Sequence, residues 1–123
     1  MALTLPDGPS RPLTIARAAI GTTIALAPEF GAKLFQLDPD NNPQMSFLGR
    51  LFGIRNIVLA ASLAGGLGGD MQTIRRVNTA VDAADLAALA VCYRKGQIPK
   101  PAAVLIAATA GTATVLGALS LST

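Results

Sequence analysis

Asp82 and Asp85 stand three residues apart, so on a helix their carboxylates share one face. Such a pair can hold a Mg²⁺ ion for phosphoryl chemistry. Asn78 extends the stripe, because Asn78, Asp82 and Asp85 follow an i, i+4, i+7 pattern. Against metal binding stand three arginines in the neighbouring apolar segments, Arg17, Arg50 and Arg55, whose charge repels a cation. Neither a glycine-rich phosphate loop nor a further acidic cluster accompanies the aspartates. The opposite signs point instead to charge-assisted, bidentate hydrogen bonds between arginine and aspartate.

Other reactive groupings are missing. The sequence has no histidine, which removes the commonest general base and metal ligand. Cys92 is the single cysteine, so no disulfide forms within one chain, and a small buried thiol on an apolar helix is expected. Ser62 has no nucleophile-elbow context and no histidine to activate it, which makes it a helix-packing residue. The formal charge of +3 includes no basic run longer than the pairs Arg75-Arg76 and Arg94-Lys95, so nucleic acid is not an expected partner. Neither an enzyme, a cofactor nor a metal site is expected.

The elements that position these charges follow from composition. Of 123 residues, 51% are hydrophobic and 14% charged, and mean hydropathy is +0.50, whereas soluble domains carry roughly a quarter charged residues. Four Phe, one Tyr and no Trp leave little large apolar area for a water-soluble core of a single domain. A lipid bilayer is the natural solvent. The alternative, a soluble helical protein with an unusually apolar surface, would be released from membranes by carbonate without detergent.

Four apolar segments are expected to span, at about 12–27, 47–67, 74–93 and 101–121. The last has no charge over twenty-one residues, enough at about 1.5 Å per residue for a hydrocarbon core of about 30 Å. Along it Ala103, Ala107 and Gly111 recur every fourth residue, a row that admits close helix approach or arises from alanine-rich composition. The second segment ends in Gly65-Gly66-Leu67-Gly68-Gly69. There Gly65 and Gly69 have G-x-x-x-G spacing, read either as a packing motif or as a helix end and turn. Arg17 within the first segment and Pro28 after Ala25-Leu26-Ala27 argue against a cleaved signal peptide. Between the first two segments, Asp38-Pro39-Asp40-Asn41-Asn42-Pro43 is a turn-forming run, and Phe30, Leu34 and Phe35 before it mark a short interfacial helix. The expected fold is all-α: an antiparallel four-helix transmembrane bundle with a short interfacial segment between helices one and two, both termini on one side.

Each ionisable group in mid-helix costs about 2.5 to 3.5 kcal/mol on insertion scales, so partners are required. Counted from the same end of the bundle, Arg55 and Asp85 lie at equal depth, and Asp82 one turn further in faces Arg17. Arg50 is expected to snorkel to the headgroups or join Asp85. Such a network could set helix register, line a functional cavity, or dock onto a partner membrane protein.

The stretch Arg50-Leu51-Phe52-Gly53-Ile54-Arg55-Asn56, with Asp82 and Asp85 on the following helix, resembles a family of small bacterial four-helix integral membrane proteins of unknown function. The resemblance covers about residues 50–93 and rests on an F-G-x-R segment opening the second membrane helix and acids in the third. Asn56 stands where many members carry an acid. The resemblance implies fold and setting, a multi-pass protein of the bacterial cytoplasmic membrane, and no reaction. The expected function is an accessory or scaffold subunit, as a homo-oligomer or with another membrane protein. The alternative is a minimal transporter or ion-coupled carrier that uses the intramembrane aspartates.

Overall fold

A computed structural model describes residues 3–122, and these form five helices and no strand. They are α1 (Ser10–Leu26), α2 (Pro28–Leu34), α3 (Gln44–Leu63), α4 (Met71–Arg94) and α5 (Lys100–Ser120). Local chemistry explains the boundaries. Pro28 opens α2 at a position that needs no amide hydrogen. Asp70 caps α4, accepting hydrogen bonds from the Thr73 amide at 3.0 Å and the Thr73 hydroxyl at 2.7 Å. Those bonds hold the Asp70 carboxyl below its usual range, the hydroxyl having the larger effect.

The long helices pack as two antiparallel pairs. Along α1 and α3, Arg17 meets Asn56, Gly21 meets Gly53, and Ile24 meets Gly49, so the numbers run in opposite senses. This crossing is very close. A Cβ added at Gly53 would lie 2.5 Å from the Ala25 nitrogen and 2.6 Å from the Gly21 oxygen, which only glycine permits. Helix α5 lies along α4 in the same manner, with Gly117 against Thr79 and the Gln72 side chain donating to the Leu121 carbonyl. Contact between the two pairs, α1 with α5 and α3 with α4, is sparser.

Among the described residues the interior is small and polar. Seven apolar side chains are buried, including Leu13, Leu63 and Ala102, against eight polar or charged ones, including Arg17, Asn56, Asn78 and Asp82. Meanwhile Leu48, Leu51, Ile54 and Val58 on α3 and Val104, Leu105, Val115 and Leu119 on α5 face outward. That distribution inverts a water-soluble domain. Thr14, Thr79, Thr109, Thr112 and Thr114 each return their hydroxyl to the carbonyl four residues back, which satisfies them without water.

Among the described residues, α3 and α5 alone are long and apolar enough to cross a membrane by length and composition. Helix α1 has 17 residues, and α4 includes Arg75, Arg76, Asp82 and Asp85. The second segment stops at Leu63 rather than 67, because Gly65, Gly68 and Gly69 take positive φ and form a turn. Gly65 and Gly69 are therefore turn residues and not a packing motif, while Gly66 packs beneath Leu3. On α5 the row Ala103, Ala107, Gly111 is not the contact face. A Cβ at Gly111 meets nothing, Ala107 is exposed, and Ala102, Gly117 and Ser120 are the buried positions. The alanine-rich helix is apolar all round, so its own sequence marks no face.

Candidate functional site

The charges converge where the two helix pairs meet. From α1, Arg17 reaches across to both α3 and α4, with its side chain 4% exposed. Its Nη1 donates to Asn56 Oδ1 at 3.1 Å, and its Nη2 donates to Asp82 Oδ2 at 2.5 Å and to the Asn78 carbonyl at 3.3 Å. The Asp82 side chain is equally buried. Three helices are thus joined through one guanidinium. Asn56 is held in turn by donating to the Phe52 carbonyl at 3.0 Å.

One turn towards the α2 end, Arg55 on α3 pairs with Asp85 on α4. The contact is bidentate, Nη1 to Oδ1 at 3.1 Å and Nη2 to Oδ2 at 2.8 Å. This geometry is the stronger form of a guanidinium–carboxylate contact. Unlike the first pair, it is partly open, with side chains 38% and 33% exposed. The Arg55 guanidinium also lies 5.0 Å from the centre of the Phe52 ring, within cation–π range.

Deeper still, the Asn78 amide donates to Ser62 Oγ at 3.2 Å and to the Ile74 carbonyl at 3.0 Å. Ser62 is buried, and its hydroxyl donates to the Leu59 carbonyl at 2.6 Å. Ser62 therefore acts as a polar contact between α3 and α4 as well as a packing residue. The Nε atoms of Arg17 and Arg55 and the Asn78 Oδ1 are buried without a hydrogen-bond partner.

Arg50 stands apart from this cluster, which corrects its inclusion. It precedes Arg55 by five residues, a rotation of about 140° around the helix, and so points away from Asp85. Arg50 is exposed, and its charge acts on Glu29 of α2. Glu29 is held below the usual carboxylate range mainly by the Ser46 hydroxyl at 2.7 Å. Asn56 was a member that sequence reasoning left out of the cluster. Its signal was its position, a polar side chain one residue beyond Arg55 in an apolar helix. The Gly21–Gly53 crossing was missed too, although Gly21-x-x-x-Ala25 and Gly49-x-x-x-Gly53 carry the small-residue spacing that marks it.

Beside the ion pairs, a cleft of about 710 Å³ opens between the helix pairs. Its walls are mostly apolar, with Ile20, Leu48, Phe52, Leu89 and Leu116 among them, and both Arg–Asp pairs contribute to the lining. Cys92 borders the same space. Among the described residues no three His, Cys, Asp or Glu side chains cluster to hold a metal ion. No protein-family model, curated protein or solved structure matches the chain.

Proposed function

We propose that the chain is a multi-pass integral membrane protein in which α1, α3, α4 and α5 all cross the bilayer and α2 lies at its surface. Its role is that of a small accessory or scaffold subunit, as a homo-oligomer or beside another membrane protein. The observation that carries this reading is the placement of the charges: both Arg–Asp pairs join one helix pair to the other, while large apolar side chains cover the outside. Helix α4 has 24 residues, a length of about 36 Å, and its charged stripe turns inward. Paired charges shielded by neighbouring helices make a span that composition alone disfavours acceptable in lipid. The setting, as the resemblance of residues 50–93 implies, is a bacterial cytoplasmic membrane.

The cleft favours a second reading, a minimal ion-coupled carrier, because Asp82 and Asp85 line it. Substitution of Asp85 separates the two. For a scaffold, Asp85→Asn lowers the unfolding midpoint in detergent, and adding Arg55→Gln restores part of it. A carrier would instead assemble normally as Asp85→Asn and lose proton flux in reconstituted vesicles. Normal assembly with no change in flux would contradict both readings.

A further inference from the structure

The Arg55–Asp85 pair poses a problem that the scaffold role does not solve. Every charged side chain in the cleft lining is already matched: Arg17 with Asp82, and Arg55 with Asp85. An occupant therefore needs no net charge, and either sign would meet a like charge a few ångströms away. Yet the outer pair is a third exposed, and it borders an apolar space near the middle of two long helices. Two of the five guanidinium N–H groups of Arg55 are used by Asp85, so others remain to donate, and each Asp85 oxygen keeps accepting capacity. In a hydrocarbon setting such groups are costly unless something supplies hydrogen bonds.

We infer that the cleft between the helix pairs binds an uncharged lipid, whose head offers a carbonyl oxygen to Arg55 and a hydroxyl to Asp85 while its chain lies along the apolar walls. The inference rests on the membrane reading above. A volume of about 710 Å³ is of the size that small-molecule sites occupy. Phe52 stacks against the guanidinium and Leu48 lies one turn before it on α3, so apolar wall and polar edge adjoin on one helix.

Cys92, the single cysteine of the chain, borders the cleft and reports its occupancy. The full chain in detergent is treated with N-ethylmaleimide, with 1-oleoylglycerol, 1-octadecene or sodium oleate present. The expected result is that 1-oleoylglycerol slows Cys92 modification about tenfold more than either other probe, the discrimination of roughly one hydrogen bond to a charged group. In R55L/D85L, where two apolar residues replace the pair, 1-oleoylglycerol and 1-octadecene should protect equally. Equal protection by all three probes in the unaltered chain overturns the inference, as does protection by none or a preference for oleate. Failure of the membrane reading shows separately, as a chain that stays dispersed and monomeric once detergent is removed.

Discussion

Removing the negative charge of Asp82 should destabilise the fold far more than removing both members of its pair. In Asp82→Leu the Arg17 guanidinium keeps two neutral acceptors, Asn56 Oδ1 and the Asn78 carbonyl, but stays buried without a counter-charge. Breaking one side of a buried pair costs about 3–5 kcal/mol, whereas replacing both sides with apolar residues is often close to neutral. The double variant R17L/D82L should recover most of that loss. A residue of about 1–2 kcal/mol remains, because Asn56 Oδ1 loses its donor. The expected coupling energy is about 2 kcal/mol or more, above the ~0.6 kcal/mol average for ordinary side-chain hydrogen bonds between membrane helices. Reversible unfolding by dodecyl sulfate in mixed micelles, followed by far-ultraviolet circular dichroism, measures the four corners of the cycle. A coupling below about 0.5 kcal/mol would refute the claim that this pair holds the helix pairs together.

The same cycle on the partly open Arg55–Asp85 pair should give a smaller coupling, about 1 kcal/mol, and a value exceeding that of Arg17–Asp82 would reverse the ranking drawn from burial. Gly53→Ala forces α1 and α3 apart and should cost about 1–3 kcal/mol of stability. Gly111→Ala meets open space and should be neutral or stabilising by up to about 1 kcal/mol; equal effects of the two on unfolding midpoint would contradict the assigned crossing. The lowered pKa of Asp70 means that its cap stabilises the fold above the unfolded value, about 3.9, and that this contribution fades as pH falls through the lower folded value. Asp70→Asn should therefore flatten the acid limb of the thermal midpoint against pH, and an unchanged limb would remove the cap from the account.

What was legible in the sequence followed from depth and periodicity. Arg55 with Asp85 and Arg17 with Asp82 come from counting residues from a common end of antiparallel helices, and the all-α architecture comes from long apolar runs between turn residues. Depth alone misplaced Arg50, because five residues along a helix shift it by about 7.5 Å, a distance a long side chain can bridge, but also rotate it by about 140° to another face. The glycines misled for a related reason. Gly65 and Gly69 have the same spacing as Gly49 and Gly53, yet only the latter sit inside a helix with a partner backbone across from them. On α5, uniform apolarity hid the contact face, which Thr79 of α4 defines by meeting Gly117. The cleft had no sequence signal, since it arises from how the two helix pairs stand apart.

Composition leaves α4 as the doubtful span, and its depth in lipid tests the whole account. With Cys92→Ser as background, nitroxide labels at Val77, Ala84 and Val91 fall on one outward stripe, seven residues apart. In lipid nanodiscs the account predicts that the label at Ala84 collides freely with dissolved oxygen and scarcely with a water-soluble nickel chelate, with the chelate gaining towards Val77 and Val91. Ready access of the chelate to all three labels would place α4 in water and contradict the account.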